Sequence, residues 1–269
     1  MKDIDVEELK KIQIDILDYF DAFCKKNGIN YWLDYGTLLG AIRHHGYIPW
    51  DDDIDIGMLR ADYVKAETLF NQQSNGEYIF STPINDKSYC YPFGKIIQAN
   101  TILFEYGTEG VRTGVYVDVF PYDNSPKDIK LVNRMFRVRD YLGRIRRLQL
   151  PMREGLPLKK KMLYKLGAML FKLIPKNSIN RFIDRKARKY EGTDTGMVSS
   201  FTDTYETRHL SVPRTLFENF VEVEFEGKKY PAPRDYDFWL SSFYGDYMTL
   251  PPEEQRVPHH VFEAYYKQQ

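Results

Sequence analysis

Four carboxylates fall within five residues, Asp51, Asp52, Asp53 and Asp55, inside an apolar frame of Ile48, Trp50, Ile54 and Ile56. Close carboxylates repel one another, so a folded chain tolerates them only where water solvates them or a cation neutralises them. An acidic turn after Pro49 would meet the first condition. The apolar frame points to burial, and so to the second. If this stretch runs as a strand, Asp53 and Asp55 project to one face, because strand side chains alternate with period two. Paired carboxylates on one face are a donor set for a hard divalent ion, Mg²⁺ or Mn²⁺, and such ions commonly serve phosphate chemistry.

Two further features belong with this cluster. Gly36-Thr37 reads as a strand-to-helix turn, and a helix N-terminus offers free N–H groups to phosphate. A Gly-Thr pair can also open an ordinary helix. Asp118 lies within the apolar run VYVDVFP. A lone charge there is costly unless it is paired or metal-bound, so it marks either a buried ion pair with an arginine or a catalytic carboxylate.

Around these features the pattern alternates between helix and strand. Apolar residues at Ile4, Leu9, Ile12, Ile16, Tyr19, Phe20 and Phe23 predict one helix over 4–27, stopped by Asn27-Gly28. INYWLDYG reads as a buried strand, GTLLGAIRH as a short helix, IDIGM as a strand and 60–72 as a helix. Strands follow at YIFS, GKII, TILFEY and GVYVDVFP. From residue 127 strand signals vanish, and three helices are expected at 127–149, 158–174 and 178–190, punctuated by Pro151, Pro157 and Pro175. After Thr193 the pattern is mixed, with a hairpin turning at Glu226-Gly227 and a helix at 234–244.

Charge separates the same segments. Lys+Arg and Asp+Glu are each 38, for a formal net charge of zero. Yet Lys127 to Lys189 carries 20 Lys/Arg against 4 Asp/Glu, a net of +16, and the remainder is −16. A basic block of this size suggests a local anionic partner. Nucleic acid is disfavoured, because no recognition fold or aromatic-basic interleaving accompanies the charge. Hydrophobic residues at 43% exclude disorder. Cys24 and Cys90 provide neither a disulfide framework nor a metal motif, and MKDIDVEELKK is unlike a signal peptide. No run approaches the ~18 to 20 apolar residues of a spanning helix. The expectation is a cytoplasmic protein, attached at most to the inner face of a membrane.

Together, YGTLLGAIRHHGYIPWDDDIDIGMLRADY and VYVDVFPYD resemble the LicD family of phosphotransferases, whose domain is shared by fukutin and fukutin-related protein. The tail YGDYMTLPPEEQRVPHH is similar to the family's C-terminal signature; the basic middle block carries no matching motif. The resemblance implies an α+β fold with a nucleotidyltransferase-like mixed β-sheet core and flanking helices; the change in texture and charge sets that core over 1–126 and 193–269, with a basic helical insertion at 127–192. The resemblance places Gly36 and Thr37 at the nucleotidyltransferase turn as substrate-binding residues, Asp53 and Asp55 as paired metal ligands and Asp118 as the third, with Arg43 and His44 at the family's Arg-His position, where they are expected to bind substrate through phosphate oxygens. Asp118 is also the candidate general base. Asp51 and Asp52 belong to the motif without an assigned role.

The activity implied is transfer of a phosphoalkyl group, typically phosphocholine from CDP-choline, to a sugar hydroxyl of a bacterial surface glycan or its lipid-linked precursor. Fukutin-type relatives use CDP-ribitol, so the donor class is a CDP-alcohol, with Mg²⁺ or Mn²⁺ as cofactor. Residues 158–174 place Leu158, Met162, Leu166, Met169 and Leu173 on one helical face beside Lys161, Lys165 and Lys172. That pattern suits either an interfacial helix on an anionic membrane or an ordinary packed helix.

Overall fold

A computed structural model describes residues 2–106, 112–148, 175–204, 210–257 and 261–268, with isolated positions between 162 and 169. Apart from those isolated positions, the helix expected over 158–174 lies outside the described residues, as do the histidines at 259 and 260. The described chain mixes helices with curled β-sheet, as an α+β fold requires.

Its strands are β1 (Lys2–Ile4), β2 (Trp32–Leu33), β3 (Asp55–Leu59), β4 (Tyr78–Ser81), β5 (Gly94–Gln98), β6 (Thr101–Tyr106), β7 (Arg112–Thr113), β8 (Tyr116–Asn124), β9 (Met197–Ser199), β10 (Val212–Pro213), β11 (Phe220–Phe225), β12 (Lys228–Pro233) and β13 (Val261–Tyr266). The helices are α1 (Val6–Asn27), α2 (Tyr35–His44), α3 (Arg60–Gln73), α4 (Ile129–Arg147), α5 (Lys176–Ala187) and α6 (Tyr236–Tyr244).

Strand β8 is the hub of the central sheet. On one side it pairs in parallel with β3, Asp55 against Asp118. On the other, its first half takes β5 antiparallel, Lys95 against Asp118, and its end takes β9. A second sheet runs β1-β13-β6-β7, and β11-β12 is the expected hairpin. Glu226 and Gly227 turn that hairpin at φ of 51° and 74°, the left-handed pair that a two-residue loop needs.

Helix α1 is shorter than its periodicity suggested. Asp5 caps it by accepting from the Glu8 backbone N–H at 2.8 Å, and residues 2–4 pair with Ala264, Tyr265 and Tyr266 instead of extending the helix. At its other end Gly28 adopts φ 58° and donates to the Cys24 carbonyl. The buried stripe of Leu9, Ile12, Ile16, Leu17, Phe20 and Phe23 drives α1 onto the main core. A smaller cluster, Val132, Phe136, Ala187 and Phe201, joins α4 to α5. Arg60, at the start of α3, ties α5 to the sheet. Its guanidinium grips both oxygens of Asp123 at 2.7 Å and reaches Asp184 at 2.8 Å, all three side chains being buried.

Candidate active site

The turn between β2 and α2 is built on Asp34. The strand expected over INYWLDYG shrinks to Trp32–Leu33, because Asp34 becomes the N-cap of α2. Its carboxylate is fully buried and accepts three hydrogen bonds: from the Tyr35 backbone N–H at 3.0 Å, the Trp239 indole N–H at 2.8 Å and the Tyr122 hydroxyl at 2.6 Å. Burial pushes this acid up to about 6, and the hydrogen bonds from Tyr122, Trp239 and Tyr35 oppose the shift. Tyr35 follows at φ 42°, a left-handed conformation unusual for a bulky side chain, clamped by edge-on rings of Phe120 and Phe243 at 5.1 Å.

Gly36 and Thr37 then meet the acidic segment. A Cβ on Gly36 would lie 2.7 Å from Asp51 Oδ2, so the glycine is what lets this carboxylate approach the helix start. The Thr37 hydroxyl oxygen accepts from the Asp55 backbone N–H at 2.8 Å, locking the turn to the first residue of β3. Gln13 of α1 donates to the Asp52 carbonyl at 3.0 Å and accepts from the Tyr47 hydroxyl at 2.9 Å, so the loop before β3 is pinned on two sides. Strand β3 begins at Asp55 rather than Ile54, which leaves Asp53 in the approach to the strand and not within it.

Across the sheet, register places Lys95, Asp118 and Asp55 in one row on β5, β8 and β3, with strands about 4.8 Å apart. The Lys95 ammonium reaches Asp118 Oδ1 at 2.6 Å. The lone charge of VYVDVFP is thus ion-paired, and its partner is a lysine of the neighbouring strand, not an arginine. Asp51 and Asp55 experience the crowding of this row. Burial, followed by the Asp53 carboxylate, pushes Asp51 up to about 8. Burial, then Asp53, Asp118 and Asp51, holds Asp55 well above the ordinary carboxylate range.

The donor set therefore fits a hard divalent cation in chemistry: carboxylates at Asp53, Asp55 and Asp118 with Asp51 beside them, among which burial and mutual repulsion disfavour the charged forms of Asp51 and Asp55 unless positive charge is added. Among the described residues no group of three or more His, Cys, Asp or Glu side chains is already arranged around a cation position.

Sequence-level candidates separate into two places. Gly36, Thr37, Asp53, Asp55 and Asp118 gather at the start of α2 and the row of β3 and β8. Arg43 and His44 lie at the far end of α2, about 12 Å further along its axis. There Arg43 donates to the Tyr247 carbonyl at 2.7 Å, and His44 stands edge-on to Trp50 at 6.4 Å. The C-terminal segment returns to the same corner, with the Arg256 guanidinium 5.8 Å over the Trp50 ring. Residues not foreseen are Asp34, Lys95 and Gln13. Asp34 carried a readable signal, an aspartate immediately before a short helix; Lys95 and Gln13 carried none, because only the pairing of distant segments brings them here.

Comparison with known proteins places the chain among relatives. The family model described as LicD/FKTN/FKRP, nucleotidyltransferase domain, matches residues 28–162, which hold the α2 turn, β3, β5 and β8. Lipopolysaccharide cholinephosphotransferase LicD of Haemophilus influenzae is 32% identical, over 98% of this chain and 99% of that protein. Ribitol 5-phosphate transferase FKRP of Homo sapiens is 27% identical over 95 residues, 35% of this chain and 17% of its own length. Ribitol-5-phosphate transferase FKTN of Homo sapiens is 26% identical over 113 residues, 42% of this chain and 22% of its own. With a relative aligned end to end and the family domain spanning the acidic centre, this chain belongs to the LicD family of phosphotransferases.

Proposed function

We propose that the chain transfers phosphocholine from CDP-choline to a sugar hydroxyl of a bacterial surface glycan, of teichoic acid or lipopolysaccharide type, or of its lipid-linked precursor. The observation that carries this reading is the end-to-end match to a lipopolysaccharide cholinephosphotransferase.

In the proposed reaction the acceptor hydroxyl oxygen attacks the phosphorus bearing choline, a new P–O bond forms and CMP departs with the electrons of the bond that breaks. Asp118 takes the hydroxyl proton. Asp53, Asp55 and Asp118 would hold Mg²⁺ or Mn²⁺, which when bound offsets charge on the diphosphate and the leaving nucleotide. Beyond Tyr35, whose N–H is capped by Asp34, the first turn of α2 carries N–H groups at Gly36 and Thr37 without intrahelical partners, and the missing Cβ of Gly36 leaves room for the Asp51 carboxylate beside them. Because the Thr37 oxygen accepts from Asp55, its own O–H remains to donate to a phosphate oxygen. Arg43 and His44, with Trp50 beside them, are assigned to the side of the site that receives the remoter parts of the substrates.

The proposed setting is the cytoplasm, with peripheral contact to an anionic membrane through the basic block; no helix among the described residues is long and apolar enough to cross a membrane. The decisive experiment incubates the purified chain with labelled CDP-choline, CDP-ribitol or CDP-glycerol and Mg²⁺, with and without a glycan acceptor, and scores CMP. Acceptor-dependent CMP from CDP-choline supports the reading. CMP from only the ribitol or glycerol donor transfers it to a phosphoalditol, pyrophosphate from an NTP makes the chain a nucleotidyltransferase, and silence with every donor leaves a binding module.

A further inference from the structure

Lys95 is an unusual group to find in an acidic centre. Its side chain is almost wholly inaccessible, at 2% exposure, and its ammonium sits 2.6 Å from Asp118 Oδ1. Aromatic rings surround the same ammonium: the Tyr116 centroid is 3.2 Å away, Tyr91 4.3 Å and Phe93 5.5 Å. A buried cation costs several kcal/mol in lost hydration unless carboxylate and ring faces replace the water. Here both do, and the rings hold the ammonium independently of Asp118.

The geometry points to Lys95 as a positioning residue: from its aromatic seat across the sheet it anchors Asp118 in the row with Asp55 and acts as a resident counter-ion that keeps this centre's affinity for a divalent cation low. This inference rests on the reading of Asp53, Asp55 and Asp118 as cation ligands. The physical consequence is competition. A cation approaching the row meets a fixed positive charge one strand away, and Asp118 already gives one oxygen to the ammonium. Because the rings retain Lys95, it cannot simply withdraw to water. Such a site fills when a phosphate-rich donor brings additional negative charge, rather than holding its cation permanently.

The test measures Mn²⁺ binding to the intact chain by calorimetry and by the loss of free-ion paramagnetic resonance signal, for the native protein and for Lys95→Met, Lys95→Gln and Lys95→Arg. Removing one charge at a strand spacing is expected to tighten Mn²⁺ binding at least about tenfold in Lys95→Met. Lys95→Arg, which keeps the charge, is expected to stay within about threefold of native. Mn²⁺ is also expected to raise the melting temperature of Lys95→Met more than that of the native chain. If Lys95→Met does not fold, Lys95→Gln, which retains a donor toward Asp118, decides. A purely structural lysine would weaken or leave unchanged the binding of Mn²⁺ in the folded variants, and that result overturns the inference while the metal reading stands. Absence of Mn²⁺ binding in the native chain and in every folded Lys95 variant alike overturns both.

Discussion

Replacing Asp34 separates its two roles, as hydrogen-bond acceptor and as buried charge. Asp34→Ala strands three buried donors: the Tyr35 N–H, the Trp239 indole N–H and the Tyr122 hydroxyl. At roughly 1 to 2 kcal/mol for each buried donor left without a partner, the expected loss is about 4 kcal/mol. Asp34→Asn has the same shape. Its amide oxygen can take the two donors that now share Oδ1, and its NH₂ can donate to Tyr122, whose hydroxyl accepts as readily as it donates. The asparagine variant is therefore expected to be at least as stable as native above pH 7. Linkage gives the sign. Burial raises Asp34 from 3.8 to about 6, so the folded state binds this proton more tightly than the unfolded state. The associated stability is fully present below pH 3.8 and is lost as pH rises through about 6, a change of about 3 kcal/mol. Urea unfolding of the three proteins from pH 4 to 8 is the assay. The stability of native relative to Asp34→Asn should fall across pH 4 to 6 and be flat above it. Equal damage from Asn and Ala, or a pH-independent difference between native and Asn, would refute the reasoning.

Three other perturbations probe the same centre and its support. Asp53→Asn and Asp55→Asn are each expected to reduce transfer by about 10³ or more. Because Asp55 is crowded by Asp53, Asp118 and Asp51, loss of its charge should not lower the unfolding midpoint; normal turnover in either folded variant would remove both from the site. Thr37→Val deletes the acceptor for the Asp55 N–H and the proposed phosphate donor, so it should cost about 1 to 2 kcal/mol and most of the activity, whereas Thr37→Ser should retain both; steady-state kinetics beside urea melts checks this. Far from the acidic row, Arg60→Ala strips Asp123 of the arginine that grips it and takes one of two arginines from Asp184, which keeps Arg188 at 3.3 Å; it should destabilise by about 3 kcal/mol in urea melts, and a loss below about 1 kcal/mol would show that the network is not a structural tie.

The primary sequence was sufficient for what depends on neighbouring residues. Periodicity located α1, α3, α4 and α6 to within a few residues, and the Glu226-Gly227 pair announced its hairpin because few residues adopt two successive left-handed conformations cheaply. The carboxylates Asp53, Asp55 and Asp118 stood out in the sequence because charges inside apolar runs are costly, and Gly36-Thr37 stood out as a strand-to-helix turn; the structure brings them to one end of α2 and the adjoining strands. Errors arose where a distant partner outbid a local preference. Ile4, expected as the first residue of the helix, pairs with Ala264 in strand β1 instead, and β2 ended early because the Asp34 carboxylate found donors on β8 and α6. What only tertiary structure decided is the charge balance of the centre. Asp118 stood 23 residues from Lys95 and 63 from Asp55, and strand pairing alone set them side by side. Backbone hydrogen bonding fixes such a register over many residues at once, so no local pattern around any one of the three could reveal it.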